Sequence, residues 1–346
     1  MNSNNTYPID FVVTWLDSNE QRWQEEYLLY KNGTSEKEYT SMSRFRDWNL
    51  FRYWFRAVEE YAPWVNKVFL VTNGKFPDWI NEDCPKLVLV KHSDYIPSEY
   101  LPTFNSHTIE LFMNRIPGLS EHFVYFNDDF YLNAPVLPEY YFKEGLPCDC
   151  NAESLFNAPI YSKEDGFFTH IIKYTSVAVL NRHFNRSNTV KGSFKRWYGP
   201  HLGLLFWIMA RLVSLHPYKR FIGFMDRHFE QPFLKSVLDE AWEKEPEMLS
   251  RSCCRFREDV NVSPYFFRYW QFATNKFYPS TLKHGAKYVL IPEEIPFILR
   301  DLYNKNVWSL CANDTTKCSE EDFERLKPIV EKAFAEKYSK ISQYEK

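Results

Sequence analysis

The chain has 346 residues, 45% of them hydrophobic, which is enough for one large domain or two ordinary ones around a packed core. Its formal net charge is only -3, and lysine and arginine are spread along the sequence without forming a basic stripe, so we expect no nucleic-acid partner. The seven cysteines are scattered and lack both the pattern of a disulfide framework and the spacing of a structural zinc site. We therefore expect reduced thiols and a cytoplasmic protein.

The first residues of the sequence show neither the basic nor the apolar segment of a signal peptide, which also predicts a cytoplasmic location. The longest apolar run covers residues 202–213 and is interrupted by Arg211. A span across a hydrocarbon layer of roughly 30 Å needs about 20 apolar residues, so this run is too short. It could lie flat on the inner face of the plasma membrane or pack as a core helix, and of the two we expect the core helix.

Strands and helices alternate in the first 135 residues. Four apolar runs, at 9–16, 67–72, 86–90 and 122–126, are typical of buried strands, because each is rich in β-branched or aromatic residues and is bounded by polar ones. Apolar residues recur with helical spacing at 48–61 and 106–116. This alternation predicts an α/β fold built on a Rossmann-like sheet.

From residue 151 to 222 the periodicity weakens into a basic and aromatic stretch, which we interpret as a helical insertion or lid. Regular periodicity returns beyond it, with helices predicted at 231–243, 260–274 and 319–338 and a strand at 288–291. Ser319 and Asp322 have the spacing of a helix start signal. The chain thus divides into an α/β half at 1–150, a variable insertion or lid at 151–222, and a C-terminal part at 223–346 that completes the same domain.

Polar residues follow each predicted strand, at the sheet edge where the ligands of such folds bind. Asp17 follows the first strand, and Asn127, Asp128 and Asp129 follow the fourth. Mg²⁺ and Mn²⁺ prefer oxygen ligands, and a phosphate-bound ion commonly takes one or two of them from protein carboxylates. Asp128 and Asp129 are therefore candidate metal ligands, although capping alone explains an acidic loop equally well. Asp17 also has two interpretations, since its carboxylate could bind the nucleotide or stabilise a turn.

Many short segments of the sequence resemble the Stealth family, in the order in which that family carries them. Its first region is matched by residues 9–17, IDFVVTWLD. Its second region is matched by residues 44–47, 50–53, 61–65, 71–74, 101–107, 116–120 and 125–129. The third region is matched by 226–232 and 256–260, and the fourth by 311–314 and the final helix. One departure is Glu230, where many members have proline. The resemblance spans residues 9–335 and is weakest over 150–220.

The Stealth family comprises bacterial hexose-1-phosphate transferases of capsule synthesis and the animal enzyme that makes the mannose 6-phosphate tag of lysosomal proteins. The resemblance implies an enzyme with a glycosyltransferase-A-like mixed sheet that is flanked by helices and carries a helical insertion. It implies transfer of a sugar 1-phosphate from a nucleotide-sugar, expected to be a UDP-sugar, to a hydroxyl of an acceptor glycan in capsular or cell-wall polysaccharide, with release of UMP. A peripheral contact with the membrane or with capsule-assembly machinery is compatible with that setting.

The resemblance also implies roles for single residues. His228 and Arg257 match the family's active-site histidine and arginine, with His228 as the base for the acceptor hydroxyl and Arg257 as a donor to phosphate. His107 stands in a matched segment as a further catalytic candidate. Mg²⁺ or Mn²⁺ is expected on Asp128 and Asp129. The donor is expected to be held by Asp17, Arg44, Arg46, Asn105 and Asn127.

Two other functions stay open. A conventional metal-dependent glycosyltransferase would use Asp128 and Asp129 in the same way, but it would move the sugar itself and release UDP instead of UMP. A non-catalytic glycan-binding module would use aromatic rings as stacking surfaces, and aromatic residues make up 18% of the chain, although most such rings fill protein cores. The first alternative differs in the nucleotide released, and the second would bind glycan without metal or nucleotide-sugar.

Overall fold

The computed structural model describes residues 7–31, 46–154, 167–215, 219–226, 228–257, 262–281 and 285–346, with the backbone alone for 167–170. The strands are β1 (Ile9–Thr14), β2 (Val68–Thr72), β3 (Leu87–Lys91), β4 (His122–Phe126), β5 (Phe130–Leu132), β6 (Phe142–Lys143), β7 (Leu146–Asp149), β8 (Gln231–Leu234), β9 (Tyr278–Pro279), β10 (Gly285–Val289) and β11 (Ser309–Asn313). The helices are α1 (Gln21–Lys31), α2 (Phe51–Tyr61), α3 (Ser106–Leu111), α4 (Phe167–His183), α5 (Arg186–Gly192), α6 (Phe194–Trp197), α7 (Gly203–Ser214), α8 (Lys235–Lys244), α9 (Pro246–Ser252), α10 (Tyr265–Ala273), α11 (Ile295–Leu302) and α12 (Glu320–Lys337).

A five-stranded sheet forms the centre of the fold, in the order β3-β2-β1-β4-β8. Its first four strands are parallel, with Val12 of β1 opposite Phe69 of β2 and Tyr125 of β4. Strands β1 and β2 are buried along almost their whole length, as expected for parallel strands covered on both faces. The four predicted strands and the mixed α/β sheet flanked by helices are thus confirmed.

Strand β8 corrects the prediction that a helix begins at residue 231. Residues 231–234 pair antiparallel with β4, where Pro232 lies opposite Val124. Proline cannot donate to a strand ladder and is tolerated mainly in edge strands, and β8 is an edge strand of this sheet. The helical pattern begins only after it, at α8. The helix predicted at 260–274 is observed in part as α10, which begins at 265, and residues 260 and 261 lie outside the described ranges. The strand predicted at 288–291 overlaps β10, which begins three residues earlier and ends at 289.

A second sheet joins the C-terminal part of the chain to strand β5, beside the turn that follows β4. Strand β11 runs antiparallel to β5, with Cys311 opposite Phe130, and parallel to β10 on its other side. The backbone N–H of Ala312 also donates to the carbonyl of Asp129 at 3.0 Å. This pairing brings the C-terminal segment 311–314 against the acidic turn at 127–129.

Helix α2 shows how aromatic residues fill the core. Trp54 of α2 is fully buried and meets Phe126 edge-to-face, with ring centroids 5.4 Å apart.

Ser319 caps α12 by accepting the Asp322 N–H at 3.1 Å, so the predicted helix start is confirmed.

Within the segment predicted as a helical insertion, the described residues 167–215 contain α4, α5, α6 and α7. Within the described ranges of the chain, no helix combines the length and the apolarity needed to span a bilayer. The prediction that residues 202–213 pack into the core is wrong for much of α7, since Leu204, Leu205 and Leu212 are 76%, 69% and 55% exposed. Composition gives the amount of apolar surface on a helix but does not show whether another element covers it.

Candidate active site

Two neighbouring cavities lie at the carboxyl ends of the parallel strands. Cavity one has a volume of about 370 Å³ and is lined by residues that follow β1 and β4, among them Trp15, Asp128 and Asp129. Cavity two has a volume of about 620 Å³ and reaches Lys173 of α4 and Lys287 of β10. Some residues line both cavities, and we call this set the shared wall: Ser106, Glu110, Tyr125, Asn127, His228, Arg257 and Asn313.

The acidic pair Asp128 and Asp129 lies in the tight turn between β4 and β5. Enclosure by the protein, together with the adjacent Asp129 charge, raises the pKa of Asp128 to about 7, although part of its side chain stays accessible from cavity one. Burial raises the pKa of Asp129 to about 6. A cation bound near these carboxylates would favour their ionised forms.

Asp129 belongs to a cluster of potential metal ligands with His228 and Cys311. One ligand atom from each residue lies within 4.8 Å of the other two. Cys311 Sγ donates to Asp129 Oδ2 at 3.7 Å, and burial holds the pKa of this thiol well above its ordinary value, so it stays protonated and is a poor ligand. Asp129 Oδ1 is buried and accepts no hydrogen bond from the described residues. An unsatisfied carboxylate oxygen beside an imidazole fits Mn²⁺, and with a second carboxylate nearby it also fits Mg²⁺.

Asp226, two positions before His228, belongs to a buried charge network. Arg268 Nη1 donates to Asp226 Oδ1 at 2.5 Å, and its Nε and Nη2 donate to the two carboxylate oxygens of Asp149 at 2.7 and 2.9 Å. The ring of Phe130 meets the imidazole of His228 edge-to-face, with centroids 4.8 Å apart. These contacts explain how a segment far from β4 in sequence presents His228 at the shared wall.

Arg257 reaches the shared wall from the segment that follows α9. Its guanidinium donates to Ser106 Oγ in the first turn of α3. One turn further along α3, Glu110 accepts a hydrogen bond from Tyr125 Oη at 2.9 Å. Burial raises the pKa of Glu110 to about 7, against an opposing contribution from the Arg257 charge. A carboxyl that titrates near neutrality can take or give a proton under cellular conditions.

Glu110 was not among the residues predicted for the site. A single glutamate in a short polar helix is typical of an exposed position, so its type gave no reason to select it. The usable signal was its spacing, because Ser106 and Glu110 are one helical turn apart and therefore share a face of α3.

Two arginines were predicted to help bind the donor. Arg46 lines cavity one, but its guanidinium forms a bidentate ion pair with Asp314, with Nε–Oδ2 and Nη2–Oδ1 distances of 3.0 and 2.8 Å. It also donates to the carbonyls of Thr315 and Cys318, at 3.1 and 3.0 Å. Most of its donors are therefore used to hold the loop after β11. Arg44 lies outside the described residues.

The remaining predicted residues are divided between the site and the framework around it. Asn127 lies on the shared wall and His107 lines cavity two, where burial and the Arg257 charge hold the pKa of the His107 imidazole well below its ordinary value. Asn105 is fully buried and caps α3 by accepting the His107 N–H at 3.1 Å. Asp17 accepts the N–H of Asn19 at 3.0 Å, as a turn carboxylate does.

The acidic turn and the polar shared wall lie together at one edge of the α/β sheet, and sequence comparison names the family that carries them. Residues 44–148 match the model of Stealth protein conserved region 2. The chain is 38% identical over 340 residues to the capsular polysaccharide phosphotransferase WcwK of Streptococcus pneumoniae, covering 98% of this chain and 99% of that protein. It is 38% identical over 319 residues to the receptor polysaccharide phosphotransferase WefC of Streptococcus oralis, covering 91% and 92% of the two chains. The chain belongs to the Stealth family and is a transferase.

Among solved structures, a galactosyltransferase, LgtC, in complex with donor and acceptor sugar analogues is similar with a TM-score of 0.33 and 10% identity, over 92% of this chain and 95% of that one. A TM-score this low supports no conclusion about this chain, whose sheet topology follows directly from its own strand pairing.

Proposed function

We propose that the chain transfers a sugar 1-phosphate from a UDP-sugar to a hydroxyl of an acceptor glycan, in the synthesis of capsular or cell-wall polysaccharide. The observation that carries the proposal is the shared wall, where Arg257, His228 and Asn127 stand between two cavities. Such a wall suits a reaction in which two substrates approach one phosphorus atom from opposite sides. The relatives, named as capsular and receptor polysaccharide phosphotransferases, favour the same class of reaction.

In this reaction the acceptor oxygen attacks the β-phosphorus of the donor, and the bond from that phosphorus to the bridging oxygen breaks. UMP leaves with the bridging oxygen, the hydroxyl proton passes to a base, and the sugar keeps its own bond to phosphate. Catalysis of such a step comes mostly from alignment and from charge stabilisation. We assign the nucleotide to cavity one, the acceptor to cavity two, and the reacting phosphorus to the shared wall.

The side chains of the shared wall divide the work. His228 is the proposed base for the acceptor hydroxyl, because imidazole titrates near neutrality. Glu110, whose pKa is near 7, is the alternative base on the same wall. Arg257 offers planar N–H donors to the phosphoryl oxygens, in a geometry that lysine does not reproduce. Asn127 offers an amide toward the same atoms.

We also propose Mg²⁺ or Mn²⁺ as a cofactor, held by Asp128 and Asp129. Bound there, the cation supplies charge neutralisation for the pyrophosphate. Cavity one is also lined by the carboxylate of Asp47, while Asp314 is paired with Arg46, so a pyrophosphate entering alone would meet more acidic than basic side chains. Chelation with EDTA should stop turnover, and added Mn²⁺ should restore it. Full activity after exhaustive chelation would remove the metal from the proposal.

The decisive experiment identifies the nucleotide product. The protein is incubated with UDP- and GDP-sugars, Mg²⁺ or Mn²⁺, and a glycan acceptor, and the released nucleotide is separated by chromatography. Nucleoside monophosphate and a phosphodiester resonance in the ³¹P spectrum support sugar-1-phosphate transfer. Nucleoside diphosphate instead supports a conventional glycosyltransferase, and glycan binding without donor affinity supports a binding module. The Asp129→Asn variant serves as the control for background hydrolysis.

A further inference from the structure

Helix α7 carries an apolar face that no described residue covers. Six of its side chains, or those directly after it, are between 40% and 80% exposed, namely Leu204, Leu205, Trp207, Ile208, Leu212 and Leu215. These positions fall on one side of the helix, while Ala210 and Val213 on the opposite side are buried. Phe194 of α6 is 52% exposed and extends the face, because Arg211 lies over its ring at 5.8 Å. We call this surface the α7 face.

The sequence around the α7 face contains no acidic residue. Residues 166–225 include nine lysines and arginines but no aspartate or glutamate, in a chain whose net charge is -3. Some of these cations are used inside the fold, as in the Arg186–Glu153 and Lys173–Asp226 ion pairs. Other basic residues of this segment are exposed, among them Lys191, Lys195, Arg211, Lys219 and Arg220.

An apolar helix face within a basic segment has the composition of a helix that lies in the plane of an anionic membrane surface. Leucine and isoleucine enter the boundary between headgroups and acyl chains, tryptophan stays at headgroup level, and lysine and arginine meet lipid phosphates. A second copy of the chain is a poorer occupant, because a symmetric contact would bring two copies of this basic segment together. A nucleic acid would leave the leucines uncovered.

We propose that the α7 face docks the enzyme onto an anionic lipid bilayer. The same insertion reaches the active site, since Ile172 and Lys173 of α4 line cavity two. Helix α7 is tied to this part of the fold by the buried Arg186, which donates to the Ala210 carbonyl at 3.3 Å and pairs with Glu153. Docking would therefore hold the insertion that lines cavity two at the lipid surface. The inference goes beyond the proposed reaction and does not depend on it.

The test measures flotation of the full chain with vesicles of phosphatidylcholine and phosphatidylglycerol, without donor or metal. We expect binding to these vesicles and little binding to vesicles of phosphatidylcholine alone. The double variant Leu204→Glu, Ile208→Glu should lower binding at least about tenfold, since two charges enter the apolar contact. The matched control is Ile329→Glu, Ile341→Glu, which changes two exposed isoleucines outside the α7 face and should bind as the wild type does.

The electrostatic contribution to vesicle binding is tested with the variant Lys195→Gln, which leaves the apolar residues intact. It should weaken binding roughly fivefold, the usual effect of one basic residue at an anionic surface, and binding should fall as salt is raised. Melting temperatures of all variants establish that they fold. Transfer to a soluble acceptor is measured separately, so failure of docking and failure of the proposed reaction are distinguishable.

Three results would overturn the docking proposal. The first is no binding of the wild type to anionic vesicles. The second is equal loss of binding in the α7 variant and in its control. The third is a wild-type dimer in sedimentation that Leu204→Glu, Ile208→Glu dissociates without any vesicle binding, which would make the α7 face a contact between copies of the chain.

Discussion

Cavity one and cavity two share a wall but differ in the charge of their linings. In cavity one the acids outnumber the cations, because Asp47, Asp128 and Asp129 line the same space as Trp15, while Asp314 is paired with Arg46. In cavity two the cations outnumber the acids, and its lining includes Lys173, Arg257, Arg268 and Lys287. An anionic nucleotide suits the first cavity only with a cation in place, whereas the second can meet a polar or anionic acceptor directly.

The difference gives each cavity a measurable signature. Changes in cavity one should act on donor affinity and metal dependence, and changes in cavity two should act on acceptor affinity. Changes on the shared wall should act on the chemical step and leave both affinities nearly intact.

The largest expected effect is that of Asp129→Asn. The substitution preserves volume but removes the charge that would hold the metal, so turnover should fall by about 10³-fold or more. Because burial raises the pKa of Asp129 to about 6, the fold at neutral pH should lose little stability or gain some. Turnover under limiting Mn²⁺ and the melting temperature are the two measurements. A near wild-type rate would show that this carboxylate is not a metal ligand.

His228→Ala should slow transfer by about 10²-fold, within the usual range for a positioned general base, while UDP-sugar affinity changes little. The geometry also offers a second role, because ligand atoms of His228, Asp129 and Cys311 lie within 4.8 Å of one another. If His228 is instead a metal ligand, excess Mn²⁺ should recover much of the lost rate. A purely structural histidine would give a third pattern, in which melting temperature, donor affinity and rate fall together. Metal titrations of the variant separate these roles.

Glu110→Gln tests whether the buried carboxyl serves chemistry at a cost in stability. Below its unfolded pKa of 4.5 the carboxyl is protonated in the folded and unfolded chain, and it does not affect the free energy of unfolding. As pH rises from there through about 7, the unfolded chain ionises first and the fold is destabilised, by on the order of 3 kcal/mol above pH 7.

The Glu110→Gln variant should therefore be more stable than the wild type at pH 8 and equally stable at pH 4. Its rate should fall about tenfold, because it lacks a titrating group beside Arg257. Chemical denaturation at the two pH values gives the first comparison. Equal stability at both would show that Glu110 does not carry a buried charge.

The strands that position cavity one were predictable from the sequence, while the roles of its lining side chains were predictable only in part. Strand β1 and strand β4 are continuous apolar runs, and parallel strands bring the residues after them to one edge, so the location of Asp128 and Asp129 followed from pattern alone. The use of Arg46 did not follow, because its partner Asp314 is 268 positions away and ion pairing at that range depends on tertiary packing.

Cavity two was harder to predict for physical reasons. Its wall is built from segments such as Gln231–Leu234, whose four residues fit a strand or the start of a helix equally well. A lone histidine carries no signal of its own, and the resemblance to a known family was needed to select His228. The exposure of α7 was missed because periodicity identifies an apolar face but not the partner that covers it.

The smallest expected effect is that of Lys173→Met in cavity two. This variant tests most directly whether the two cavities bind different substrates. The change keeps the length of the side chain and removes its charge, and Asp226 retains Arg268 as a partner, so the fold should persist. The KM for the acceptor should rise about fivefold, worth roughly 1 kcal/mol, with kcat and the KM for the donor unchanged.

The matched variant in cavity one is Trp15→Leu, which removes an aromatic surface next to the acidic turn. It should raise the KM for the donor and leave the KM for the acceptor as it was, since stacking surface is lost only on the nucleotide side. The two variants together form a crossed test, because each serves as the control for the other. If Lys173→Met raised the KM for the donor and Trp15→Leu that for the acceptor, the two substrates would occupy the cavities in the opposite order. The shared wall would keep its role, but the acid-rich cavity would then have to bind the acceptor, and the case for a divalent cation beside the nucleotide would fail with it.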